Sequence, residues 1–231
     1  MAWFYTDERG DMADTKWVRI AALAGLVFVV LIIVSGPVLH NSTPNITDSA
    51  QKIFDSFKNH QRNIKASAAL SGLAMSAVLI WASGLFHALR RAGGGNAGLA
   101  VTALGGVALA AAMTVTSAAI GAATALRIHD LGPVGARFYF TLQQFTQGGT
   151  LFGLLVVVGA TAAVCLRTGL FARWFAVVSV ILAVGSIAGA FSIAYASNSI
   201  QTAGGIMLSL DTLWILVVSV YLWRKPELAL Q

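Results

Sequence analysis

The segment IAALAGLVFVVLIIVSGPVL, residues 20–39, decides the fold of this 231-residue chain. It contains no charged residue and is long enough for a helix to cross a hydrocarbon core of about 30 Å. Five further segments are predominantly apolar and at least as long. The sequence therefore predicts six transmembrane spans, at Ile20–Leu39, Ala66–Leu89, Ala97–Leu126, Phe138–Leu166, Phe171–Tyr195 and Ala203–Trp223.

The composition favours the same class of protein. Hydrophobic residues make up 57% of the chain and charged residues only 10%, whereas soluble domains carry about 25% charged residues. The expected fold class is an all-α, polytopic transmembrane helix bundle. The net charge of +6 comes from residues at the ends of the spans, where basic side chains contact lipid headgroups. Membrane lipids are therefore expected partners, and nucleic acid is not.

The distribution of Lys and Arg predicts the orientation of the bundle. Nine of these residues lie on the side that carries both termini and six on the other, and an excess of basic residues marks the cytoplasmic side. The protein is therefore expected in the plasma membrane, with both termini in the cytoplasm. The predicted organisation is a cytoplasmic segment over 1–19, a transmembrane domain over 20–223 and a cytoplasmic tail over 224–231.

The first outer connection is predicted to contain an amphipathic helix over about 47–64, with Thr47 as its cap. The helical period places one set of apolar side chains on a single face, apart from the basic residues. That set comprises Ala50, Ile53, Phe54, Phe57 and Ile64. Such a helix is expected either on the outer membrane surface or over the helix bundle.

Small residues spaced four apart predict close helix packing within the membrane. Three pairs have this spacing, namely Gly72 and Ser76, Gly149 and Gly153, and Gly185 and Gly189. Packing within one chain is the simpler interpretation. A homo-oligomer or a contact with another membrane protein is the alternative.

Asp211 is the only acidic residue inside a predicted span. It lies about 13 Å below the outer end of the sixth span at 1.5 Å per residue. A carboxylate at such a depth costs at least about 2.5–3.5 kcal/mol, so it should face protein or water, or carry a proton. Ionisable groups inside a membrane are candidate functional residues for the same reason.

Other polar residues are expected near the outer side, together with Asp211. Gln143 and Gln147 share a face of the fourth span with Thr150, whereas Ser186 reaches a similar depth on the fifth. The predicted binding residues are Asp211, Trp214, Gln143, Gln147, Thr114 and Ser117. Three interpretations remain open for Asp211. Glutamines and hydroxyls hydrogen-bond it and fix the packing, an outer pocket binds a small molecule or relays a proton, or a basic residue of a partner pairs with it.

Residues for catalysis or metal binding are not evident in the sequence. Cys165 is the single cysteine, and the histidines, His40, His60, His87 and His129, do not share one depth of the bundle. Phosphate-binding loops and hydrolase or metalloprotease motifs are also not found. We therefore expect no catalytic residue, no cofactor and no metal.

Three short boundary motifs carry a resemblance to a known group of proteins. They are Asn59-His60-Gln61-Arg62, the passage from Gly84 to Arg91, and Arg167-Thr168-Gly169-Leu170-Phe171-Ala172-Arg173-Trp174. With these motifs the chain resembles actinobacterial-type six-span integral membrane proteins, a group without an established activity. Some small proteins of this kind are accessory subunits of cell-envelope transport complexes, so the resemblance implies such a role.

Two functions from different classes follow. The first is a non-enzymatic accessory or scaffold subunit of a larger cell-envelope or transport assembly. The second is a stand-alone binder or transporter of a small polar or lipid-like molecule, which occupies an outer pocket around Asp211. A membrane enzyme is the least favoured class, because one carboxylate has no matched acid or base partner.

Overall fold

The computed structural model describes residues 8–39, 44–93, 97–191 and 198–226, which form seven α-helices without a β-strand. The helices are α1 Glu8–Ile33, α2 Ala50–Asn59, α3 Gln61–Ala92, α4 Gly98–Leu126, α5 Ile128–Thr168, α6 Arg173–Ala190 and α7 Asn198–Arg224. A π-helical turn, Val34–Val38, extends α1. Among the described helices, all except α2 are long and apolar enough to cross a membrane. This confirms the prediction of an all-helical chain with six membrane-length helices.

The observed helices differ from the predicted spans mainly at their ends. α5 begins at Ile128 rather than at Phe138, and Gly132 interrupts it with a φ of 63° that only glycine adopts readily. Pro133 follows and begins the long part of the helix, where its missing N–H leaves no helical hydrogen bond unmade. The fifth span was expected to reach Tyr195, which lies outside the described residues, as does His40.

A tight turn joins α5 to α6. Gly169 has a φ of 71° and donates its backbone N–H to the Cys165 carbonyl over 2.9 Å, which ends α5 with a left-handed residue. Arg173 begins α6 only four residues later. The turn therefore brings α6 back alongside α5.

The spanning helices are arranged as a ring. Each packs against its neighbour in the order α1, α3, α4, α5, α6 and α7, and α7 packs against α1. Large side chains fill the part of the ring remote from α2, where Trp81, Leu85, Val158, Val218 and Leu222 are at most 2% exposed. Aliphatic side chains such as Val30, Leu73 and Ile181 are at least 60% exposed on the outside. This distribution is typical of helices that contact lipid.

The short helix α2 lies over one end of the ring, which we call the α2 end. Ile53 and Phe57 are buried in a cluster with residues from α4 and α5, and Phe57 meets Phe140 edge to face at 6.1 Å. The predicted cap was wrong. Ser49, not Thr47, accepts a hydrogen bond from the Lys52 N–H over 3.3 Å. The predicted range was also too long, because α2 ends at Asn59 and Ile64 belongs to α3.

Candidate binding cavity

A cavity of about 910 Å³ lies inside the ring, between the α2 end and the middle of the bundle. Five spanning helices and α2 supply its walls, whereas no described residue of α6 lines it. The lining residues of α3 include Ile64, Ser67, Ser71, Met75, Val78 and Trp81. Their spacing of three or four positions follows one face of a helix. A single face of α3 therefore forms one wall of the cavity over its length.

The cavity is elongated along the axis of the bundle. On α3 its lining residues run from Ile64 to Trp81, a rise of about 26 Å at 1.5 Å per residue. Phe28, Val29 and Ile32 of α1 add an apolar wall. At the α2 end, Phe57 and His60 also line it, so α2 covers this part of the cavity. The shape favours a long, narrow occupant with a large apolar part.

A polar wall is built where α4 packs against α5. The hydroxyls of Thr114 and Thr150 lie 3.1 Å apart, and the Ser117 hydroxyl donates to the backbone carbonyl of Gln143 over 3.0 Å. Gly121 provides room for Gln143, since a Cβ at this glycine would lie only 2.7 Å from the Gln143 Nε2. Thr114, Ser117, Gln143 and Gln147 all line the cavity. The packing of two helices thus places four of the predicted residues on one wall.

Asp211 lies deeper, on α7. It lines the cavity but is only 1% exposed, and the Ser186 hydroxyl of α6 donates to its Oδ2 over 3.3 Å. Its Oδ1 has no hydrogen-bond partner in the described part of the chain. Among the described residues, one hydroxyl and no glutamine hydrogen-bonds Asp211. The interpretation in which glutamines and hydroxyls together hold this residue is therefore right for the hydroxyl and wrong for the glutamines.

Two tryptophans lie beside Asp211 at the deep end. Trp214, one turn further along α7, donates its Nε1–H to the Ser179 hydroxyl over 2.9 Å and stacks on Phe175 at 5.8 Å. Trp81 meets Trp214 edge to face at 6.1 Å. Both indoles line the cavity. The sequence provided no reason to predict Trp81 as a cavity residue. In the structure it lies on the face of α3 that lines the cavity, one helical turn after Val78.

Three buried side-chain atoms have no hydrogen-bond partner among the described residues, and all three belong to residues that line the cavity. They are Trp81 Nε1, Gln143 Oε1 and Asp211 Oδ1. Buried polar groups are hydrogen-bonded in the large majority of cases. Their concentration at one cavity therefore points to a place where an occupant completes the hydrogen bonding.

The three predicted pairs of packing residues differ in what surrounds them. Gly153 meets the backbone of Gly106 and Ala110 on α4, and Gly149 meets the Met113 side chain. Gly185 and Gly189 of α6 meet Met207 of α7, and Gly189 also faces Leu151 of α5. A Cβ added at Gly72 would meet no described atom within 4 Å, and Ser76 is exposed. The glycine pairs of α5 and α6 thus lie at helix contacts of this chain, whereas Gly72 and Ser76 of α3 lie on an open surface.

Among the described residues, no group of three His, Cys, Asp or Glu side chains lies close enough together to bind a metal ion. Cys165 is buried and free. Comparisons with protein families, with curated proteins and with solved structures give no match for this chain. The cavity is therefore the feature of this chain that bears on its function.

Proposed function

We propose that this protein is a non-enzymatic, multi-pass plasma-membrane protein that binds a small amphipathic molecule in the cavity of its helix ring. The cavity itself carries this proposal. Ligand pockets commonly measure about 300–1,000 Å³ and combine apolar walls with a few placed polar groups. The cavity of about 910 Å³ has apolar side chains on α1, α3 and α5, and polar groups on α4, α5 and α7.

The orientation proposed from the charges places the α2 end outside the cell. The connections at the far end of the ring and the two terminal segments carry nine of the fifteen basic residues. On this orientation the cavity occupies the outer half of the membrane and α2 covers it from outside. An amphipathic molecule from the outer leaflet or the outside would then be the occupant.

A second function, an accessory subunit of a larger envelope or transport assembly, is favoured by the open surface around Gly72. Small residues four apart support close approach of another helix, and Leu73 beside them is 60% exposed. Extraction in mild detergent should then recover a stoichiometric membrane partner, and Gly72→Ile should release it. Recovery of this chain alone would contradict the accessory role and leave ligand binding as the function.

The test of the proposed function uses two tryptophan substitutions on neighbouring residues of α3. Ser71 lines the cavity, so Ser71→Trp should fill part of it, whereas Gly72→Trp projects into open surroundings outside it. The protein would be purified in phosphatidylcholine nanodiscs, and molecules extracted from it would be identified by mass spectrometry. The wild type and Gly72→Trp should retain an amphipathic molecule that empty nanodiscs lack, and Ser71→Trp should lose it. Equal recovery from both variants, or none from the wild type, would contradict the proposal.

A further inference from the structure

The charge of the cavity restricts the chemistry of its occupant. Its titratable lining residues are Asp211 and His60, and among the described residues neither Lys nor Arg lines it. His60 lies at the α2 end of the cavity, whereas Asp211 lies at its deep end. No cationic side chain of the lining therefore faces Asp211. An anionic headgroup at the deep end would therefore meet an acid without a compensating base.

Hydrogen-bond direction restricts the occupant further. Oδ2 of Asp211 already accepts from Ser186, whereas Oδ1 is buried and unpartnered within the described structure. The Oε1 atom of Gln143 is a second unpartnered acceptor on the same cavity. Leaving a buried acceptor unsatisfied costs free energy, so an occupant that brings donors is preferred. Two of the three atoms that are unpartnered among the described residues, on the acid and the amide, thus select for N–H or O–H groups. The third, the Nε1–H of Trp81, is a donor that an ammonium group does not satisfy, so it requires a hydroxyl or a water molecule as its acceptor.

Aromatic rings at the deep end favour a positive charge there. Trp214 follows Asp211 by one turn, and Trp81 packs against it edge to face at 6.1 Å. The faces of indole rings attract cations, and the attraction is greater where water is excluded. Trp214 uses its N–H on Ser179, so that this donor does not compete for the carboxyl group of Asp211.

We propose that the occupant of the cavity is an amphipathic amine, bound as its ammonium ion. The ammonium group lies at the deep end and donates an N–H to Oδ1 of Asp211, beside Trp81 and Trp214. Its apolar part extends toward α2 along Phe28, Val29 and Ile32 of α1, where the cavity is long enough for an alkyl chain. This inference rests on the proposed function, because it names the class of molecule that the same cavity binds.

The test compares headgroups on one alkyl chain. Radiolabelled decylamine would be bound to the protein in nanodiscs of phosphatidylcholine, with empty nanodiscs subtracted. Unlabelled decanol, decanoate and decyltrimethylammonium would compete with it. Decylamine should bind most tightly, because decanol lacks the charge, decanoate has the opposite charge and decyltrimethylammonium has no N–H to donate.

Variants identify the acid. Asp211→Asn keeps the shape and should weaken decylamine binding by about 10- to 100-fold, which is the strength of a hydrogen bond to a charged group. Asp211→Glu retains the charge and should keep the preference for decylamine over decanol. Asp130→Asn is the matched control, since Asp130 is exposed and pairs with Arg127 outside the cavity. Its binding should equal that of the wild type, and gel filtration would verify that each variant is folded.

The possible failures separate the two proposals. If decanol competes as well as decylamine, or if Asp211→Asn binds decylamine normally, the amine assignment is wrong while the cavity remains a binding site. If no decyl compound binds, the amine assignment is also wrong, and the molecules recovered from the wild type and from Ser71→Trp decide whether the cavity binds anything. Loss of amine binding in Asp130→Asn would likewise overturn the role of Asp211.

Discussion

The Ser186 hydroxyl of α6 lies 3.3 Å from Oδ2 of Asp211 on α7, and this hydrogen bond joins two neighbouring helices of the ring. Both residues are buried, at 0% and 1% exposed. This hydrogen bond offsets part of the free-energy cost of burying the Asp211 carboxyl group inside the bundle. It satisfies one carboxyl oxygen through the protein, whereas the other has no partner among the described residues. Asp211 also lines the cavity, so the same residue contributes to packing and to the proposed binding site.

Removal of the Asp211 carboxyl should stabilise the protein. Leu branches at the same carbon as Asp, and the cavity beside Asp211 gives room for its greater volume. The Ser186 hydroxyl can donate instead to a backbone carbonyl one turn earlier on α6, as the Ser179 hydroxyl does. No unsatisfied carboxyl oxygen remains, so Asp211→Leu should raise the free energy of unfolding by about 1–3 kcal/mol. Ser186→Ala should act in the opposite direction, because it takes away the donor to Oδ2. Unfolding of both variants in one detergent would measure the difference. A less stable Asp211→Leu would show that the carboxyl is needed for packing.

Gly153 should tolerate no larger side chain. A Cβ there would lie within 3 Å of the Gly106 and Ala110 backbones, so Gly153→Leu should force α4 away from α5 and cost at least about 1–3 kcal/mol. Gly159→Leu on the same helix is the matched control, because no described atom lies within 4 Å of the Cβ it would add. Thermal unfolding of the two variants should separate them clearly. Equal stability would contradict close packing at Gly153.

The hydrogen bond from Trp214 to Ser179 should contribute measurably to the contact between α6 and α7. A double-mutant cycle of Trp214→Phe and Ser179→Ala should give a coupling of about 0.5–1.5 kcal/mol. Trp223→Phe, at an indole that is 46% exposed, provides the control cycle with Ser179→Ala and should show no coupling. Similar coupling in both cycles would show that the effect is not this hydrogen bond.

The packing of Phe57 should control access to the cavity. Phe57 is 3% exposed and lines the cavity, so Phe57→Ala should loosen α2 and open the α2 end. In a Ser71→Cys background, a water-soluble maleimide should then react at least about tenfold faster, since a buried Phe→Ala change costs about 3–5 kcal/mol. Cys165 is buried and should react slowly in either background. Phe54→Ala is the control at a partly buried ring, and equal rates in both variants would argue against a cover at Phe57.

The start of α2 should loosen in acid. The Lys52 ammonium and the Asn45 N–H both donate to Asp48, and they hold the pKa of this carboxyl below its ordinary value of 3.8. Stabilisation from Asp48 is therefore complete above pH 3.8 and is lost as the pH falls through the lower, folded-state pKa. Amide exchange over residues 49–53, corrected for its intrinsic pH dependence, should accelerate relative to exchange in α3 in this window. Asp48→Asn should remove the acid-dependent step, and a step that persists in this variant would assign it to another group.

The sequence predicted the six membrane-length helices because each depends on its own segment. A run of about 20 apolar residues cannot remain in water, and within lipid its backbone must form a helix to satisfy its hydrogen bonds. Residues 20–39 therefore indicated a span without reference to any other part of the chain. Asp211 could be identified as a candidate functional residue in the same way. The free-energy cost of placing its carboxylate in the membrane depends on the lipid solvent and not on the neighbouring helices.

Only the tertiary structure decided what surrounds Asp211. Its neighbours depend on the rotation and depth of each helix, which are set by contacts far apart in sequence, such as Gly106 with Gly153 and Gly189 with Gly204. These contacts bring Ser186, rather than a glutamine, to the carboxyl group. Packing of α7 against α1 then adds another wall to the cavity. Such an arrangement belongs to the packing of all the helices together, and no segment of the sequence encodes it alone.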